Sequence, residues 1–110
     1  MRFGVVILPE LSRADLVATW RAAEVLGFDH AWTYDHLNWR SLRDSAWFAA
    51  MPTLTAAAFA TERMRLGTLV ASPNFRHPVS TLREILALDH LSEGRFTFGF
   101  GAGGTGWDAE

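Results

Sequence analysis

Leu66-Gly-Thr-Leu-Val-Ala-Ser-Pro-Asn-Phe-Arg-His-Pro78 opens as an apolar strand and stops abruptly at Ser72-Pro73, with Phe75, Arg76, His77 and a second proline behind it. A strand with so shaped an exit is building a site at its carboxyl end. Two further strand ends look equally deliberate: Tyr34-Asp35-His36 before this stretch and the glycine cluster Gly99 to Gly106 after it. Three such exits in one short chain point to an α/β enzyme whose active face is assembled from the loops that follow strands.

Working outward, Arg2 to Leu8 is a near-continuous apolar run rich in β-branched residues, as in a parallel strand covered on both faces. Ser12 followed three residues later by Asp15 resembles a capping box, and Leu16, Trp20 and Ala23 recur at helical spacing up to a stop at Gly27. Phe28 can pack back on that last turn. A second strand is expected from Ala31 to Tyr34. Asp35 to Ser45 reads as a polar loop with aromatics, and a helix from Pro52 to about Glu62 follows, proline suiting a first helical position. The third strand spans Arg65 to Ala71. Val79 to Leu91 carries Leu82, Ile85, Leu86 and Leu88 at helical spacing, with Gly94 as the stop, and Arg95 to Phe100 alternates into a fourth strand. The order β-α-β-α-β-α-β predicts parallel pairing through right-handed crossovers. Pattern alone leaves a doubly wound sheet and a barrel segment equally open.

The chain has 110 residues, 49% of them hydrophobic, with a formal net charge of −2. That suffices for one domain, residues 1–110, with its own core, and no linker or repeat divides it. All ten basic residues are arginines, scattered without a basic stripe, so no nucleic-acid partner is expected. The absence of cysteine excludes disulfides and thiolate metal sites. No apolar run approaches the roughly 20 residues that span a bilayer, and the first nine residues read as a buried strand rather than a signal peptide. The expectation is a cytoplasmic protein without a membrane partner.

Asp35-His36 ends the second strand. A histidine there can accept or donate a proton, and a neighbouring carboxylate can tune it; the competing reading is a loop pair that caps the next segment. Tyr34, Trp32 and Trp39 would give a flat-faced pocket or, alternatively, core. Ser72 and Arg76 offer a hydroxyl and a guanidinium suited to a phosphate; otherwise Pro73 holds a turn and Arg76 is paired on the surface. Gly99-Phe-Gly-Ala-Gly-Gly-Thr-Gly106 contains the G-x-G-x-x-G spacing twice, which brings backbone amides close to a phosphate. A dinucleotide fingerprint belongs on the first strand of its unit, so a Rossmann-like nucleotide-binding domain is the weakest alternative. The histidines at 30, 36, 77 and 90 lack ligand spacing; His30 and His90 read as structural, and no metal is expected.

Taken together, Leu26-Gly-Phe-Asp-His-Ala-Trp32, Tyr34-Asp-His-Leu37, Arg63-Met-Arg-Leu-Gly-Thr68, Pro73-Asn-Phe-Arg-His-Pro78, Leu88-Asp-His-Leu-Ser-Glu-Gly-Arg-Phe96 and Gly99 to Asp108 resemble the N-terminal part of luciferase-like flavin- or deazaflavin-dependent oxidoreductases. The resemblance covers essentially the whole chain. It implies a (β/α)8 TIM barrel with FMN or coenzyme F420, the deazaflavin, at its C-terminal face and a small-molecule substrate. It also implies His36 on the proton side of hydride transfer, with Asp35 close to the coenzyme. A non-proline cis peptide at Leu69-Val70 would form a bulge under the ring, and Ser72, Gly101, Gly103, Gly106 and Asp108 would contribute coenzyme contacts. Asp108 stands where asparagine is more usual.

Such barrels need about 250 residues, so the expectation is a truncated N-terminal half-barrel of about four strands and three helices, either a fragment of a longer protein or a truncated gene product. A half-barrel exposes sheet edges and an apolar inner face, which predicts closure against a partner such as a second copy, hence a homo-oligomer. The alternative to an oxidoreductase is a non-catalytic half-barrel that assembles through those edges.

Overall fold

The computed structural model describes residues 1–37 and 44–104. Four strands alternate with three helices: β1 (Gly4–Val6), α1 (Arg13–Val25), β2 (His30–Thr33), α2 (Ala50–Ala60), β3 (Arg65–Thr68), α3 (Pro78–Leu91) and β4 (Phe96–Thr97). The strands lie in chain order, β1-β2-β3-β4, and each neighbouring pair is parallel. A doubly wound sheet would reverse its strand order partway and carry helices on both faces. This sheet does neither, so the arrangement is a barrel segment.

The register explains the core. Ala31, Leu66 and Phe96 lie side by side across β2, β3 and β4 and are all buried. They belong to one apolar cluster with Leu16 and Trp20 of α1, Leu54 of α2 and Leu88 of α3. Leu54 and Leu66 are fully shielded, each contributing on the order of 2 kcal/mol. Among the described residues no helix covers the opposite face of the sheet. β1 is therefore not the doubly covered strand that its apolar run implied: it is three residues long, and Gly4 and Val6 are exposed. The apolar positions expected along α3 divide in the same way. Leu88 is buried and Ile85 packs on the core, while Leu82 and Leu86 face outward.

Local chemistry sets the helix ends. The Ser12 hydroxyl accepts the Asp15 N–H and starts α1. At its other end the Gly27 N–H donates to Glu24 O and the Phe28 N–H to Ala23 O, a Schellman closure that needs the left-handed φ of 90° at Gly27. α2 begins at Ala50, two residues before Pro52; the proline sits within the first turn, where a missing N–H costs no intrahelical bond. α3 starts with Pro78 at its first position. Strands β3 and β4 end earlier than their apolar runs, at Thr68 and Thr97, and only an isolated bridge between Ala71 and Phe100 continues the pairing.

Two polar clamps join distant segments. The Glu24 carboxylate at the end of α1 accepts the backbone N–H groups of Glu62 (3.0 Å), Arg63 (2.6 Å) and Met64 (2.7 Å), closing the turn that enters β3. The Arg95 guanidinium donates to the carbonyls of Ala58, Thr61 and Met64 and to Thr61 Oγ1, while its Nε reaches Ser92 O. A cation at the carboxyl end of α2 also complements the helix dipole there.

Partial burial pushes the Glu24 carboxyl up, but the amides of Met64, Arg63 and Glu62 and the Arg63 charge outweigh it, so its pKa lies below the ordinary 4.5. A depressed folded-state value means stability that is fully present above 4.5 and lost as pH falls through the folded value. Glu24→Gln should therefore cost about 1–2 kcal/mol at neutral pH. Urea titrations at descending pH should show the gap from wild type closing in acid. A gap that stays constant down to about pH 2 would contradict this assignment.

Candidate functional site at the carboxyl ends of the strands

Asp35, two residues past β2, is 3% exposed. A carboxylate that deep is costly unless its oxygens are filled. Here Oδ1 accepts Arg76 Nη2 at 2.6 Å, and Oδ2 accepts Arg76 Nε at 2.8 Å and the Ser72 N–H at 3.0 Å. The guanidinium is thus forked onto the carboxylate, the geometry that makes such pairs strong. Its third nitrogen, Nη1, reaches Glu84 Oε2 at 3.2 Å, and its Cζ lies 5.4 Å from the centre of the Phe75 ring. Hydrogen bonding to Asp35 raises the Arg76 pKa against the opposing effect of burial, with the Asp35 and Glu84 charges adding to it.

This settles how Arg76 is used. A guanidinium held by two carboxylates is not a phosphate donor, so the reading that joined Ser72 and Arg76 on a phosphate gives way to the paired one. The pair is not at the surface, however: the Arg76 side chain is 13% exposed. Ser72 is buried as well, and its Oγ accepts the Asn74 N–H at 3.3 Å, leaving its O–H as the donor it has to offer.

Between β3 and Ser72 the Leu69-Val70 peptide is cis. The Leu69 N–H donates to Thr33 O at 2.9 Å and the Ala71 N–H to Gly99 O at 2.6 Å, so the bulge is tied to β2 on one side and to the exit of β4 on the other. Leu69 and Val70 are 45% and 42% exposed and form an apolar shelf at this end of the sheet. Gly101 lies against the shelf: a Cβ there would come within 2.6 Å of Val70 Cγ2, so only glycine allows the loop to run so close. Asn74 Nδ2 donates to Gly104 O at 2.8 Å, and Gly103 abuts the same side chain. The loops after β3 and β4 are stitched together.

His36 is half-buried next to Asp35, with its ring edge-on to Tyr34 at 6.2 Å, and its carbonyl accepts Trp47 Nε1 at 2.9 Å. Trp32 is half-buried on β2. Its indole N–H donates to His30 Nδ1 at 3.1 Å, which also gives His30 a structural partner. Asp35, His36, Leu69, Val70, Ser72, Gly101 and Gly103 thus all lie at one end of the sheet. Trp39, Gly106 and Asp108 lie outside the described residues. Among the described residues no group of three His, Asp or Glu side chains could hold a metal ion, and no helix is long and apolar enough to cross a membrane.

Arg76, Asn74 and Glu84 complete the site although sequence reasoning did not find their contacts. Arg76 is 41 residues from Asp35, and the only hint of the pair was two opposite charges at neighbouring strand exits.

A family model for luciferase-like monooxygenases matches residues 1–109. The chain belongs to that family. Among its luciferase-like relatives, the 5,10-methylenetetrahydromethanopterin reductase of Methanopyrus kandleri is 35% identical over 92% of this chain. The F420-dependent glucose-6-phosphate dehydrogenase of Beutenbergia cavernae is 44% identical over 81% of it. The solved structure of the coenzyme F420 dependent tetrahydromethanopterin reductase from M. kandleri superposes with a TM-score of 0.80 at 33% identity over 94% of the chain. In each case the chain spans 27% of the relative's length.

Removing one member of a buried pair strands the other, so Asp35→Ala should lower stability by about 3 kcal/mol or more. Glu84 is 49% exposed, and Glu84→Gln should cost less than about 1 kcal/mol. Equilibrium urea denaturation of both variants checks this; similar losses at the two positions would show that the buried fork carries no special weight.

Proposed function

We propose that this chain supplies one side of a ring-coenzyme site in an oxidoreductase that moves a hydride between coenzyme F420 and a small organic substrate. The observation that carries the reading is the exposed Leu69-Val70 shelf, set between the Gly101 loop and the strand end bearing His36. Two exposed aliphatic side chains beside a glycine loop leave an apolar surface of the kind a conjugated ring covers. The F420-dependent relatives favour the deazaflavin, while family membership by itself suits either ring. The same shelf suits FMN, which in its reduced form would make the enzyme a monooxygenase.

When bound, the coenzyme would supply or accept the hydride. The remaining work falls to this chain. Leu69 and Val70 would support the ring on its apolar side and keep water from it. The Ser72 O–H and the amides of Ala102 and Gly103 would offer hydrogen bonds at the ring's polar edge, while the Gly101 amide is held by Ala71 O at 3.0 Å. His36 would hold the proton at an imidazole nitrogen and exchange it with the substrate oxygen as that oxygen changes between carbonyl and alcohol. Asp35 would lie close to the coenzyme and, with Arg76 and the Ser72 amide on its oxygens, holds the strand exits together.

Fluorescence titration of the 110-residue chain with coenzyme F420 and with FMN tests the reading. Saturable binding with a preference for F420 is expected. His36→Ala should keep that affinity within a few-fold while coenzyme turnover, followed by absorbance, falls about 10²–10⁴-fold. Binding of neither ring by the folded chain would favour the non-catalytic half-barrel that assembles through its open edges.

A further inference from the structure

Three backbone amides locate the Leu69-Val70 shelf. Two of them, Leu69 N–H to Thr33 O and Ala71 N–H to Gly99 O, bond backbone to backbone and do not depend on side-chain identity. The third, Ser72 N–H, bonds a side chain: Oδ2 of Asp35. Where the shelf lies relative to the exit of β2 therefore depends on what orients that carboxylate.

We propose that Arg76 is a positioning residue of this site: acting through Asp35, it holds the Ser72 amide, and with it the Leu69-Val70 shelf, against the strand end that carries His36. The two parallel N–H groups of the fork set the plane of the Asp35 carboxylate and leave Oδ2 aimed at Ser72. A lysine would keep the charge and lose the plane, since an ammonium is a point charge on a flexible stem. Arg76 is itself anchored, with its outer nitrogen on Glu84 of α3 and its face near Phe75, so α3 and the shelf are mechanically linked. The residue touches neither reacting partner in this account, and it acts only through Asp35. The coenzyme part of the inference rests on the ring-site reading above; the mechanical part does not.

Arg76→Lys separates positioning from general stability. The control is Glu24→Gln, which weakens a carboxylate-to-amide clamp of similar size on the far side of the domain. In Arg76→Lys, the Ser72 amide should exchange with solvent about tenfold faster or more, measured by NMR, and F420 affinity should fall about tenfold. In Glu24→Gln, at a comparable loss of Tm, neither should move. Unchanged exchange at Ser72 in Arg76→Lys, or changes in both readouts that merely follow Tm, would overturn the proposal. If the wild-type chain binds no ring coenzyme, the ring-site reading fails and the Ser72 exchange rate alone decides the mechanical link. Should Arg76→Lys not fold, Asp35→Asn combined with Arg76→Gln removes both buried charges. Faster Ser72 exchange in that folded double variant upholds the proposal, and a wild-type rate overturns it.

Discussion

A carboxylate without access to water can persist at the end of a strand only if each of its oxygens is occupied, and at Asp35 one arginine and one amide occupy them. The geometry of the candidate site depends on that constraint. The Arg76 fork draws the loop after β3 onto the end of β2, and the Ser72 amide fixes how far the intervening bulge projects. Asn74, two residues on, then reaches Gly104 and brings in the loop after β4. The parallel sheet brings three strand exits together, and the buried charge at Asp35 adds the side-chain tie that fixes the loop after β3 on the end of β2.

The sheet beneath follows the same economy of parts. Helices cover one face, where Ala31, Leu66 and Phe96 align in register, and the other face is left with Gly4, Val6 and the shelf residues exposed. Clamps at the opposite end hold the turns that feed β3 and β4: Glu24 gathers three consecutive amides, and Arg95 gathers carbonyls from the end of α2. One end of the sheet is fastened by contacts with no chemical prospect, and the other by contacts that leave an apolar shelf, a histidine and a glycine loop accessible.

Much of this was legible in the residues. Ser12 with Asp15, Gly27 and Pro78 mark helix ends by local rules, and the alternation of apolar strands with helical spacing yields the parallel order. What was not legible is long-range and directional. Nothing local distinguishes Glu24, which bonds amides 38 to 40 residues away, from any exposed glutamate at a helix end. Arg95 is invisible for a related reason: its acceptors are mostly backbone carbonyls, which every residue carries. The fate of the first strand was misjudged because an apolar run reports burial that a complete barrel would provide, and here its inner face is open. At the site, the residue types at the strand exits were evident, but the partner of Asp35 was not. A carboxylate beside a histidine looks the same in sequence whether it faces a ligand or an arginine from the next loop.

The central claim is that the ring coenzyme sits on the carboxyl ends of the strands, over Leu69 and Val70. The most direct measurement is a ¹⁵N-resolved NMR titration of the chain with coenzyme F420. The account predicts shift changes concentrated at residues 34–37, 69–72 and 99–104. Changes confined to the groove beside Phe59 and His90, at the opposite end of the sheet, would contradict it.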